Sequence, residues 1–128
     1  MAEQGKTILI VDDEPDIREY LETVLQDNGY RTITAGDGQE ALDVVEREGL
    51  PDLVTLDVSM PEKSGIRFYR DMKEDDARRR VPIVIVTGVD QAFERFISSR
   101  RSVPPPEGYL SKPIEQDRLL EMIARLVS

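Results

Sequence analysis

Unbroken apolar runs along the chain predict the inner strands of a parallel sheet. Strands covered on both faces are typically continuous in apolar character, whereas half-buried strands alternate. Residues 8–11, 53–56 and 83–86 are three such runs. Residues 30–35 alternate and residues 108–110 form only a short run, so we expect both to be strands nearer the sheet edges.

Helical periodicity fills the intervals between these runs and predicts five helices. Pro15 suits the first turn of the first helix, and Asn28-Gly29 suits its end. Strand and helix therefore alternate five times, which predicts a doubly wound α/β sandwich with right-handed crossovers. The predicted core-facing helical positions are Ile17, Tyr20, Leu21, Val24 and Leu25, then Ala41, Val44 and Val45, then Ile66, Phe68, Tyr69 and Met72, then Phe93, Phe96 and Ile97, and finally Leu119, Met122, Ile123, Leu126 and Val127.

Composition narrows the class of protein. At 128 residues, we expect one domain that spans residues 1–128. The net charge of -9 argues against nonspecific nucleic-acid binding. Because Cys and His are both absent, disulfides, imidazole metal ligation and Ser-His-Asp catalysis are excluded. The apolar runs are too short for a membrane span and the first residues are polar, so we expect a cytoplasmic protein.

Polar residues follow the predicted strands at the points where they end. Asp12 and Asp13 follow the first strand, Asp57 the third, Thr87 the fourth and Lys112 the fifth. The carboxyl ends of parallel strands meet at one sheet edge, where ligands bind. Clustered carboxylates favour a divalent cation, and an ammonium and a hydroxyl beside it favour a phosphoryl group. The pattern thus predicts an aspartate that carries phosphate. Singly, these residues could be caps or turns, so the inference depends on their joint placement.

Four segments also match a known family in order and spacing. They are ILIVDDE at 8–14, DVSMP at 57–61 with Gly65, VTG at 86–88 and YLSKP at 109–113. On these segments the chain resembles, from Thr7 to Val127, the receiver domain of two-component response regulators. The resemblance implies a flavodoxin-like (βα)5 fold with a five-stranded parallel sheet of order 2-1-3-4-5. It further implies a phosphoacceptor that assists its own phosphorylation and dephosphorylation and is not a turnover enzyme.

The resemblance assigns a role to each strand-end residue. Asp57 would accept a phosphoryl group from the phosphohistidine of a sensor histidine kinase or a histidine phosphotransfer protein. Mg²⁺ would be bound by Asp12, Asp13, Asp57 and the backbone carbonyl of Ser59, with Asp13 as a direct ligand. Lys112 would pair with the phosphoryl group and, before phosphorylation, with Asp57.

The resemblance also implies a conformational switch. A cis Lys112-Pro113 bond would aim the lysine inward. Thr87 and Tyr109 would report phosphorylation, remodelling a surface formed by the fourth helix, fifth strand and fifth helix. That surface would control a partner or an output module, and the family allows a homodimer that forms on phosphorylation. We expect no direct DNA binding by this domain and no membrane partner.

One segment departs from the family pattern. Between Thr87 and Tyr109 the family usually has a regular helix and a turn of small residues, whereas this chain has Arg100-Arg101-Ser102-Val103 and three prolines. We therefore expect a helix shortened to residues 91–99 and a stiffened loop. The segment is either a tolerated elongation or an altered surface that selects an unusual partner.

Two other classes of protein are weighed against this interpretation. An Mg²⁺-dependent phosphatase of the haloacid-dehalogenase type also uses an aspartyl nucleophile, but it would carry Asp-x-Asp after the first strand and a cap domain. A flavodoxin-like cofactor binder would need a phosphate-binding loop rich in Ser, Thr and Gly where this chain has Asp12-Asp13.

Overall fold

Between residues 7 and 87, the described strands and helices alternate as their hydrophobic periods predict. The computed structural model describes residues 5–57, 64–87 and 105–127, with Ser64 and Thr87 described by their backbone alone. The helix predicted at 91–99 and the predicted ligand Ser59 lie outside these residues. The described elements are β1 (Thr7–Val11), α1 (Pro15–Asp27), β2 (Arg31–Ala35), α2 (Gly38–Glu48), β3 (Leu53–Asp57), α3 (Ser64–Lys73), a 3₁₀ turn (Arg78–Arg80), β4 (Ile83–Thr87), β5 (Gly108–Ser111) and α4 (Gln116–Val127).

The five strands form one parallel sheet in the order β2-β1-β3-β4-β5. This is the predicted flavodoxin-like topology, and the two weaker strand patterns do lie at the sheet edges. The chain moves outward from β1 in both directions, so the strand order reverses between β1 and β3. Ligands of such sheets bind at the carboxyl ends of the strands beside that point.

Two hydrophobic layers enclose the sheet because successive residues of a strand face opposite sides. Leu9 and Val11 pack in one layer with residues of α2 and α3. Ile8 and Ile10 pack in the other with residues of α1 and α4. All four side chains are at most 1% exposed. The continuous apolar run of β1 is therefore explained by burial on both faces, and the strand has no face to which a polar residue would be suited.

The helix ends predicted for α1 and α2 are observed, and among the predicted core positions that the structure describes, one is exposed. Pro15 is in the first turn of α1, and Gly29 and Gly49 follow α1 and α2 with φ near +92°. Positive φ is a conformation that glycine adopts without steric cost. Tyr20 was expected to face the core but is 40% exposed. Its hydroxyl donates to the carbonyl oxygen of Ile114 at 3.3 Å, so its polar end connects α1 to the segment after β5.

An ion pair between a buried lysine and a partly exposed glutamate holds the segment that leads into β5. Lys73, the last residue of α3, is 2% exposed, and its Nζ donates to both carboxylate oxygens of Glu107 at 2.8 and 2.9 Å. The Oε1 of Glu107 also accepts the backbone N–H of Ile83 at 2.8 Å. The start of β5 is thereby attached to the end of α3 and the start of β4.

Candidate functional site

The topology brings most of the predicted site residues to one edge of the sheet. Asp12 directly follows β1, Asp57 is the last residue of β3, and Lys112 directly follows β5. Thr87 ends β4, and its backbone pairs in register with Ser111. Because all these strands are parallel, their carboxyl ends converge, and residues distant in sequence become neighbours.

Four carboxylates gather at this edge. Asp12, Asp13, Glu14 and Asp57 each offer an oxygen atom, and these four atoms lie within 4.8 Å of one another. Asp12 and Asp57 are 1% exposed, whereas Asp13 and Glu14 face solvent. Carboxylate oxygens are the ligands that Mg²⁺ prefers, and the mixture of buried and exposed groups leaves room for waters on the metal. The donor set therefore fits a hard divalent cation. Glu14 was not predicted as part of the site.

The ammonium group of Lys112 lies close to three of these four carboxylates. Its Nζ lies 3.1 Å from Glu14 Oε1, 3.3 Å from Asp57 Oδ2 and 3.5 Å from Asp12 Oδ2. The peptide bond between Lys112 and Pro113 is cis. One ammonium thus faces three carboxylates, which leaves the group with a net negative charge that a cation can offset.

Burial raises the pKa of Asp12 to about 6. The N–H of Glu14, which donates to Asp12 Oδ1 at 2.9 Å, acts against this shift, and the charge of Asp57 adds to it. For Lys112, burial alone would lower the pKa, but the hydrogen bond to Glu14 and the charges of Asp12 and Asp57 outweigh burial and raise it. Lys112 is therefore a stable cation beside Asp12, a carboxylate whose charge is costly.

Backbone contacts fix the loop that carries Asp12. The N–H of Asp12 donates to the carbonyl of Ala35 at 3.1 Å, and its own carbonyl accepts the Nη1 of Arg18 at 2.7 Å. The carbonyl of Glu14 accepts the N–H groups of Ile17 and Arg18, both at 3.1 Å, and so begins α1. Neither Arg18 nor Glu14 was singled out from the sequence, because an arginine in a first helical turn and a glutamate just before a helix are also common on ordinary surfaces.

The predicted switch aromatic, Tyr109, lies on β5, the strand that Lys112 directly follows. Tyr109 pairs in register with Ile85 of β4 and is 46% exposed. The Tyr109 side chain is therefore partly accessible to solvent.

Within the described ranges, no helix has both the length and the apolar character needed to cross a membrane.

Comparison with known proteins places these features in a family. The family model for the response regulator receiver domain matches residues 8–124. The polar-differentiation response regulator DivK of Brucella anthropi is 34% identical over 118 residues, which cover 92% of this chain and 93% of DivK.

Solved structures show the same likeness over nearly the whole chain. A putative response regulator from Chloroflexus aurantiacus superposes with a TM-score of 0.82 at 27% identity, covering 97% of this chain and 98% of that one. The chemotaxis protein CheY4 of Vibrio cholerae gives a TM-score of 0.80 at 29% identity, covering 95% and 98%.

The alternative of a haloacid-dehalogenase-type phosphatase finds no support in these matches. The family is one of signalling domains in two-component systems and not of turnover enzymes. The sheet order, the acidic edge and the match over residues 8–124 agree, and the chain belongs to the response regulator receiver domain family.

Proposed function

We propose that this chain, as a single domain over residues 1–128, receives a phosphoryl group on Asp57 from the phosphohistidine of a histidine kinase or a histidine phosphotransfer protein. The observation that carries the proposal is the environment of the Asp57 carboxylate. It is 1% exposed, lies at the end of β3, faces Lys112 at 3.3 Å and belongs to a group of four carboxylates. A buried carboxylate beside an ammonium is suited to act as a nucleophile toward an anionic phosphoryl donor.

The transfer exchanges one bond to phosphorus for another. A carboxylate oxygen of Asp57 forms a bond to phosphorus, the phosphorus–nitrogen bond of the donor breaks, and the electron pair leaves with the partner's imidazole. Because residues 1–128 contain no His, the phosphohistidine that donates the phosphoryl group must lie outside them. Charge spreads over the phosphoryl oxygens during transfer, and stabilising that charge is the main task of the site.

The residues of the acidic edge divide that task. Asp12, Asp13, Asp57 and the backbone carbonyl of Ser59 would hold Mg²⁺, which when bound offsets the charge of the carboxylates and of the phosphoryl oxygens. Lys112 pairs with Asp57 before transfer and with a phosphoryl oxygen afterwards, since its ammonium already lies within reach of Asp57.

The signal would leave the site through Thr87 and Tyr109. The hydroxyl of Thr87 would turn toward the phosphoryl group, and the ring of Tyr109 would follow into the space it leaves. This movement would alter the surface formed by the helix predicted at 91–99, β5 and α4, which would then control a partner, an output module or a second copy of the chain. Phosphorylation adds nearly two negative charges, which is enough to bias such a two-state element.

Intact-mass spectrometry tests the central step. The purified protein is incubated with acetyl phosphate and Mg²⁺, with and without a chelator. The wild type should gain the mass of one phosphoryl group only with free Mg²⁺, and Asp57→Asn should gain none. Asp43→Asn, which removes an exposed carboxylate from the surface of α2, is the matched control and should behave as the wild type. No mass gain in the wild type, or an equal gain in Asp57→Asn, would refute the proposal.

A further inference from the structure

Glu14 has no part in the chemistry proposed above, yet it lies inside the acidic group. Its carboxylate is within 4.8 Å of those of Asp12, Asp13 and Asp57. Its Oε1 is 3.1 Å from Lys112 Nζ, which is shorter than the 3.3 Å between Lys112 and Asp57. The closest of the three carboxylates that face the lysine is therefore one to which the family roles assign nothing.

The backbone of Glu14 is fixed, but its side chain is free to leave. Its N–H is bound by Asp12 Oδ1, and its carbonyl accepts the N–H groups of Ile17 and Arg18. The side chain itself is 59% exposed, whereas the side chains of Asp12 and Asp57 are 2% and 1% exposed. The Glu14 carboxylate can therefore move into water while the loop and the start of α1 stay in place.

A phosphoryl group on Asp57 would compete with Glu14 and Asp12 for the ammonium of Lys112. An ammonium has three N–H donors, and here it faces Glu14, Asp57 and Asp12. A phosphoryl group on Asp57 would take the donor that now faces Asp57, and its three oxygens with nearly two negative charges would attract the other donors as well. Releasing Asp12 would leave a buried carboxylate without its counter-charge, which is costly. Releasing Glu14 costs little, because exposed ion pairs are weak.

We propose that Glu14 is a positioning residue that holds the ammonium of Lys112 in the unphosphorylated protein and gives it up when Asp57 is phosphorylated. The inference rests on the proposed function. Glu14 then slows phosphoryl transfer for two reasons. The lysine must first be released from Glu14, and the negative charge of Glu14 on the exposed side of the site repels the anionic donor. The residue that directly follows the two predicted metal ligands would thus set how readily the domain is phosphorylated.

Three substitutions separate the contact from the charge. The rate of mass gain with acetyl phosphate is measured at saturating Mg²⁺, because loss of a nearby charge also weakens cation binding. Glu14→Gln should be phosphorylated about two- to fivefold faster than the wild type, the range expected for an exposed ion pair. Glu14→Asp keeps the charge but is one methylene too short to reach Lys112 at 3.1 Å, so its rate should lie between those of the wild type and Glu14→Gln. Asp16→Asn removes a charge from the same first turn and should match the wild type.

A second measurement needs no phosphorylation. Acetylation of lysine by acetic anhydride is followed by peptide mass spectrometry, with Lys6 as the internal reference. Lys112 should be acetylated about two- to fivefold faster in Glu14→Gln than in the wild type, and unchanged in Asp16→Asn. Equal Lys112 reactivity in Glu14→Gln and wild type, a Glu14→Gln phosphorylation rate at or below that of the wild type, or a Glu14→Asp rate equal to it, would each overturn the inference. A wild type that gains no phosphoryl group on Asp57 would instead refute the proposed function, and Lys112 reactivity would still decide whether Glu14 holds the lysine.

Discussion

Asp12 shows how the charge of a single buried residue lowers the stability of the folded protein. Its side chain is 2% exposed, and burial raises its pKa to about 6. In the unfolded chain the pKa of an aspartate is about 3.9. The ion-free protein therefore loses stability as the pH rises between these two values, because the unfolded state gives up the proton more readily. Above about pH 7 the penalty is fully present.

Asp12→Asn should accordingly stabilise the ion-free protein. The amide can still accept the N–H of Glu14, but it carries no charge. We expect the free energy of unfolding at pH 8 to rise by roughly 1–3 kcal/mol, and the difference from the wild type to become small at pH 4. Urea denaturation in the presence of a chelator measures both values, with Asp16→Asn as the surface control.

Magnesium should reverse the order of these two proteins. A ligand that binds only the folded state stabilises it in proportion to its affinity, and Asp12→Asn loses one of the predicted ligands. The wild type should gain stability on adding Mg²⁺ at pH 8, and the variant should gain much less. An Asp12→Asn variant that is less stable than the wild type without Mg²⁺ would contradict the idea that the Asp12 charge is held at a cost.

At the scale of elements, the ion pair of Lys73 and Glu107 connects three parts of the fold. It joins the end of α3, the start of β4 and the segment that leads into β5. The two partners differ in exposure, with 1% for the side chain of Lys73 and 34% for that of Glu107. Glu107 stands directly after the prolines that depart from the family pattern. The described end of that segment, Pro105 onward, is therefore anchored to the body of the domain.

The unequal burial predicts unequal costs of substitution. Glu107→Ala leaves a buried ammonium without its counter-charge and should lower the free energy of unfolding by about 3–5 kcal/mol. Lys73→Met leaves a carboxylate that water already reaches and should cost less. The double variant should be more stable than Glu107→Ala alone, because the stranded charge is gone. Urea denaturation of all four proteins measures the set, and a Lys73→Met cost equal to or above that of Glu107→Ala would count against this explanation.

At the scale of the whole molecule, the sequence predicted the features that follow from periodic apolar patterns and missed the side-chain contacts between residues that are distant in sequence. Strands and layers followed from apolar periodicity, and the placement of Asp12, Asp57 and Lys112 at one edge followed from the convergence of parallel strand ends. The bond between Lys112 and Glu14 spans 98 positions and that between Lys73 and Glu107 spans 34, and neither has a local signature.

The wrong placement of Tyr20 has a similar cause. Its position in the helical repeat of α1 predicts a core side chain, but its hydroxyl bonds the carbonyl of Ile114, which lies 94 positions away. Helical periodicity describes only one face of one helix, and it contains no information on a polar acceptor supplied by another part of the chain. The roles predicted for the site residues, namely Asp12, Asp13, Asp57, Ser59, Thr87, Tyr109 and Lys112, remain predictions.

Because β1 is buried on both faces, its hydrophobic pattern alone does not fix its register relative to the neighbouring strands. A shift by one residue would exchange apolar side chains for apolar side chains, so the two layers would scarcely distinguish the alternatives. Yet such a shift would move Asp12 by ~3.3 Å relative to Asp57, more than the ~2 Å length of a magnesium–oxygen bond. At the opposite end of the strand, the N–H of Thr7 donates to Asp52 Oδ2 at 2.7 Å, and its carbonyl accepts the N–H of Asp52 at 2.8 Å. This pair of hydrogen bonds between Thr7 and Asp52, at the opposite end of the strand from the proposed phosphorylation site, helps to keep the acidic edge in alignment.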